Sequence, residues 1–316
     1  MRCGYIFPGQ GSQQVGMGKD IWKHWQAARQ TFAEANDILG FDLTRLCFTG
    51  PQAQLMQTEY AQSALLTMSI AILRILQEME VMPDRVAGHS VGTFAALVAA
   101  GCLSFADALR IVRKRGMLMA SVQQRGSMLA VAASSEARLL ELETLARQNF
   151  ALDVAGYNSP GQIVFSGTVE AIRQFQQTLN GVSGIQARTF AVSHAFHSRM
   201  MEEQKPAWAS FLAGYQLAPA RIPLGLNVSG IYTTDAALIS QDLVEQFTAP
   251  VQWRKLFHPL IDLPFDMLLE VGMGRTLAGL ARAWPTKPMV HSTENVTALA
   301  RISKHLQERR SVTLAA

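Results

Sequence analysis

Short apolar and β-branched runs alternate along the chain with longer segments in which apolar positions recur every three or four residues. Strands read at 3–7, 85–89, 222–227, 266–271 and 288–292. Amphipathic helices read at, among others, 61–79, 91–101, 104–121, 237–247 and 295–308. This alternation predicts an α/β fold with a mainly parallel sheet. One stretch breaks the rhythm. Over 126–191 the order is strand, helix, strand, strand, helix, strand, a ferredoxin-like βαββαβ arrangement long enough to bury a small core of its own. The chain is therefore expected to be a large α/β subdomain with a parallel sheet, over 1–125 and 192–316, interrupted by a small ferredoxin-like subdomain over 126–191. A cleft should lie between the two.

Composition narrows the class. Forty-nine per cent of the 316 residues are hydrophobic and 16% charged, too apolar for an intrinsically disordered chain. A net charge of +4 without a block of like charges gives no nucleic-acid or membrane footprint. The apolar run 94–103 falls far short of the roughly 20 residues a bilayer span needs, and MRCGYIFPGQG lacks a signal-peptide core. Three cysteines, at 3, 47 and 102, fit a reducing compartment and form neither a disulfide framework nor a zinc cage. A cytoplasmic location is expected, with no metal.

Gly88-His89-Ser90-Val91-Gly92 follows a short strand and opens an apolar helix, the context in which G-x-S-x-G raises a serine on a strained turn. Such a serine needs a base. Of the seven histidines, at 24, 89, 194, 197, 258, 291 and 305, only His194 and His197 lie where the small subdomain returns to the large one. Spacing does not choose between them, and both could instead bond only to loop backbone. Asp107 and Asp153 sit at element starts, where capping accounts for them. A main-chain carbonyl could then orient the imidazole in place of an acid.

On a helical wheel of 104–121, Arg110 and Lys114 face away from the apolar arc and Arg113 sits at its edge. Arg115 falls inside the arc, between Ile111 and Met119. A guanidinium there costs several kcal/mol unless an anion pairs with it. That anion is either a structural Asp or Glu or a substrate carboxylate held bidentately. Two glycine-rich turns fail as nucleotide sites. The one at Gly9-Gln10-Gly11 lacks the P-loop's upstream glycine and its Ser/Thr; the one at Gly272-Met273-Gly274 has Leu277 where a third Rossmann glycine would stand.

Taken together, FPGQGSQ, GHSVG, VRKRGMLM, SHAFHS and the late PVQW and EVGMGRTL segments resemble the malonyl-CoA:acyl-carrier-protein acyltransferase family, from about residue 5 to 285. The resemblance implies an α/β-hydrolase-like large subdomain and a ping-pong reaction with Ser90 as nucleophile and His197 as base. It implies an oxyanion hole from the amides of Gln10 and Val91, a histidine-orienting backbone carbonyl at Gln246, and substrate contacts from Arg115, Gln62 and Phe196. It also implies malonyl-CoA as donor and a phosphopantetheine-bearing acyl carrier protein as partner, with no bound cofactor. The HAFHS wording is closer to the polyketide-synthase type, suggesting a discrete, trans-acting acyltransferase. Fatty-acid synthesis, a malonate decarboxylase system and an acyl-carrier or acyl-CoA serine hydrolase are the alternatives, and a degenerate docking protein the non-enzymatic one. Thr93, Ser63 and Met273 depart from the family's usual Glu, Pro and Pro.

Overall fold

The computed structural model describes residues 2–315. Ten strands form two sheets: β1 (Cys3–Phe7), β2 (Arg85–Gly88), β3 (Gly126–Ala133), β4 (Asp153–Ser159), β5 (Gln162–Thr168), β6 (Ile185–Thr189), β7 (Leu224–Gly225), β8 (Tyr232–Thr233), β9 (Met267–Glu270) and β10 (His291–Ser292). The larger sheet has the order β10-β9-β1-β2-β7-β8. Its neighbours pair in parallel except β7 with β8. The smaller sheet, β4-β5-β3-β6, is antiparallel throughout.

Side chains alternate across the parallel sheet, so each face needs its own cover. Tyr5 and Phe7 join the core formed with helices Thr58–Glu78, Gly92–Ala99 and Phe105–Ser121. Ile6 and Ala87 point the other way, onto Trp253, Leu256 and Phe257 of helix Trp253–Asp262. The smaller sheet packs its helices Glu136–Phe150 and Val169–Leu179 over a separate cluster that includes Leu129, Leu142, Phe165 and Phe175. Backbone joins the two parts: Val251 N donates to Ala155 O at 2.9 Å and Tyr157 N to Val251 O at 2.9 Å.

Two expected strands shrink. The run 222–227 pairs with β2 only at Leu224 and Gly225, because Leu226 N turns back to Ile231 O at 2.9 Å and starts the hairpin to β8. The run 288–292 contributes only His291 and Ser292. In parallel sheets of this kind ligands collect beyond the carboxyl ends of the strands. Here β1, β2 and β7 are adjacent, and the residues that follow them carry Gln10, Ser90 and Asn227.

Candidate active site

Ser90 stands between the end of β2 and helix Gly92–Ala99 with φ 53°, in the left-handed region. That conformation costs a side-chain-bearing residue about 1–2 kcal/mol. The two flanking glycines make the turn possible: a Cβ on Gly88 would overlap the Gly92 backbone, and one on Gly92 would run into the carbonyl of Phe7. The end of β1 is thereby pressed against the turn, with Gln10 just beyond. Among the described residues, neither the Gln10 nor the Val91 amide donates to an internal acceptor.

Ser90 Oγ lies 2.7 Å from His197 Nε2. His197 Nδ1 lies 2.8 Å from the carbonyl oxygen of Gln246 and 3.1 Å from that of Ala249. Both partners are acceptors, so Nδ1 carries the proton and Nε2 is left to accept from the serine hydroxyl. Burial, with Arg115 and His89 beside it, pulls His197 down to about 3, so the ring is neutral at physiological pH. His194 is elsewhere, with Nδ1 2.8 Å from Ser193 Oγ and Nε2 3.1 Å from the Val122 carbonyl. Of the two histidines, only His197 touches Ser90.

Neither candidate acid reaches the imidazole. Asp107 accepts from Ser104 Oγ and Arg110, and Asp153 is held by Arg199 across the start of β4. Arg115 is 1% exposed. Its Nη1 donates to Gln62 Oε1 at 3.0 Å and its Nη2 to Ser90 Oγ at 3.2 Å, while Nε has no partner among the described residues. Among the described residues no carboxylate pairs with it. Burial pulls its pKa down to about 9, leaving it charged at neutral pH. Phe196, adjacent to His197, is buried.

Four further residues lie around this cluster that the sequence reading does not single out. Ala249 supplies the second carbonyl to His197. Asn158 of β4 places Oδ1 3.0 Å from His89 Nε2, reaching from the smaller sheet to the turn. Asn227 bonds to the serine turn from behind, and Asp242 bonds to Asn227. The one signal for Asn227 is positional: a lone amide side chain just past an apolar parallel strand. Thr93 donates to Gly88 O at 3.3 Å.

A half-buried serine on a buried, neutral histidine, beside a guanidinium with no carboxylate partner among the described residues, can form and cleave an ester of a short anionic acyl group. Comparison with known proteins agrees in kind. Residues 4–278 match the acyl transferase domain family. The chain is 36% identical over 284 residues to the malonyl CoA-acyl carrier protein transacylase of Bacillus subtilis, covering 89% of this chain and 90% of that one. The malonyl CoA-acyl carrier protein transacylase of Clostridium perfringens superposes with a TM-score of 0.91 at 28% identity, covering 99% of each chain. A malonyl-transacylase solved in complex with its type II PKS acyl-carrier protein superposes at 0.90 with 32% identity, over 96% of this chain and 100% of that one. By its matched length, its identity to these relatives and its shared fold, the chain belongs to the malonyl-CoA:acyl-carrier-protein acyltransferase family.

Proposed function

We propose that this acyltransferase moves malonyl from malonyl-CoA to the phosphopantetheine thiol of an acyl carrier protein through a serine ester. The observation that carries this reading is Arg115: a buried cation with no carboxylate partner among the described residues, 3.2 Å from Ser90 Oγ. In malonyl one methylene separates the free carboxylate from the thioester carbonyl, so an anion site beside the nucleophile suits so short a diacid.

In the first half-reaction Ser90 Oγ attacks the thioester carbonyl as its proton passes to His197 Nε2. The oxyanion accepts from the Gln10 and Val91 amides, and the imidazolium is held by the Gln246 and Ala249 carbonyls. Collapse breaks the C–S bond, and the proton leaves on the CoA sulfur. In the second half-reaction the pantetheine thiol gives its proton to His197, its sulfur attacks the ester, and Ser90 departs with that proton. Gln62 fixes the guanidinium plane. Val91 and Phe196 crowd the acyl α-carbon and disfavour branched donors, a discrimination of about 1–3 kcal/mol per added carbon.

The same reading assigns 126–191 to a ferredoxin-like insert and 1–125 with 192–316 to an α/β-hydrolase-like body. It is supported by the separate core of the smaller sheet and by the backbone bonds at Val251. No helix among the described residues is long and apolar enough to cross a membrane, in keeping with a cytoplasmic enzyme. For pathway, the HAFHS loop favours polyketide assembly, and a fatty-acid role fits the relatives equally. Both carriers present the same thiol.

Intact-mass analysis after incubation with mixed acyl-CoAs tests the function. A malonyl adduct is expected on the wild-type protein and none on Ser90→Ala, with the adduct discharging to a purified carrier faster than to water. An adduct on Ser90→Ala, or malonate release as fast as carrier loading, would overturn it. Comparing fatty-acid and polyketide carriers as acceptors assigns the pathway.

A further inference from the structure

We infer that Asn227 is a positioning residue for the nucleophile, clamping the strained serine turn and tying it to the element that orients the base. This rests on Ser90 and His197 acting as proposed above. Asn227 is fully buried, and all four of its polar groups are committed. Its Oδ1 accepts from the Ser90 amide at 2.8 Å, and its Nδ2 donates to the Gly88 carbonyl at 2.8 Å. Its own amide donates to Asp242 Oδ2 at 3.0 Å, and its carbonyl accepts from the Gln252 amide at 2.7 Å.

The side chain thus spans the turn on both sides of His89, holding Ser90 at a positive φ that a free chain would relax. It also consumes the Ser90 amide. That leaves the Val91 and Gln10 amides as the donors available to an oxyanion and keeps the serine's own N–H out of that role.

Asp242 extends the clamp. It lies on helix Ala236–Glu245 and accepts from both the Asn227 and Val228 amides, at 3.0 and 2.8 Å. The C-cap of the same helix is Gln246, whose carbonyl meets His197 Nδ1. One helix therefore registers both halves of the Ser90–His197 pair, the base through its C-terminal carbonyl and the nucleophile through Asp242 and Asn227. A helix is stiff over this distance, so the 2.7 Å contact between the two is set from a single element.

The test is pre-steady-state acylation of the full chain by malonyl-CoA, read by quenched intact mass, for wild type, Ser90→Ala, Asn227→Ala and Asn227→Asp. Thermal melts are taken alongside. Asn227→Ala leaves the Ser90 N–H buried and unpaired, whereas Gly88 O keeps Thr93; acylation is expected to slow about 100-fold with KM little changed. Asn227→Asp carries the diagnostic signature. Only a protonated carboxyl can accept from Ser90 and donate to Gly88 at once. Its acylation rate should therefore rise roughly tenfold from about pH 8 to pH 5 relative to wild type. Asp242, pushed up to about 6 by burial, titrates in that window in wild type, so each rate is compared with wild type at the same pH.

A folded Asn227→Ala enzyme within threefold of wild type overturns the inference, as does a flat relative pH profile for Asn227→Asp. If Asn227→Ala does not fold, the Asn227→Asp profile decides. If neither folds, the residue is structural and the inference falls. Loss of the underlying reading is separate: it would show as undiminished acylation of Ser90→Ala.

Discussion

Arg115 shows how far one side chain reaches. Its Nη2 donates to Ser90 Oγ, and its charge is among the causes that depress His197. A malonyl carboxylate bound there would neutralise that charge and let the base recover. Arg115→Ala is expected to slow malonyl loading about 100-fold and acetyl loading by only a few fold, since only malonyl supplies the anion. Equal losses with both donors in side-by-side kcat/KM measurements would remove the assignment. The pH dependence has the same origin. His197, at about 3, stays neutral through the neutral range, and Arg115, although burial lowers its pKa, keeps its charge there. Malonyl loading should therefore hold level from about pH 6 to pH 8, and a steep fall on acidification across that range would show that the base is not held neutral by burial. At this scale the sequence was informative where chemistry is local: an arginine inside an apolar arc stands out on any wheel. Asn227 was not legible, because its meaning is a pair of bonds to residues 137 and 139 positions away.

Elements follow the sequence where their length is set within the segment. Helix Phe105–Ser121 starts at its Ser104 cap and keeps the expected face, with Arg115 buried and Arg113 stacked on Tyr60 at the edge. Strand lengths depend on partners instead, so 222–227 shrank to two paired residues. The serine turn joins both kinds of control. G-x-S-x-G permits a left-handed serine, yet the glycine at 92 is needed because β1 ends against it. Gly92→Ala should cost about 1–3 kcal/mol in denaturant titrations and depress acylation by displacing the turn. Unchanged stability would mean that the Phe7 and Pro8 carbonyls yield to a methyl group.

Across the whole molecule the site is assembled from distant segments: the loop after β1, the turn after β2, the amide after β7, the helix ending at Gln246 and the HAFHS loop. The two sheets have separate apolar clusters and meet through backbone at Val251. Phe165→Ala should remove about 3–5 kcal/mol of packing from the smaller sheet. Hydrogen exchange should then quicken over 126–189 while amides near Ser90 stay protected. Uniform quickening across both sheets would instead make them one cooperative core.

The sequence by itself determined the alternation of strands and helices, the βαββαβ break, the serine on its turn and the misplaced arginine. Each of these is written in local periodicity or steric demand. The family resemblance already implied His197 and the Gln246 carbonyl; the tertiary structure set His197 rather than His194 against Ser90, added the Ala249 carbonyl, left Arg115 with no carboxylate partner among the described residues and brought Asn227 behind the serine. Those outcomes depend on which strands lie side by side and which groups are shut away from water. No single segment carries that information.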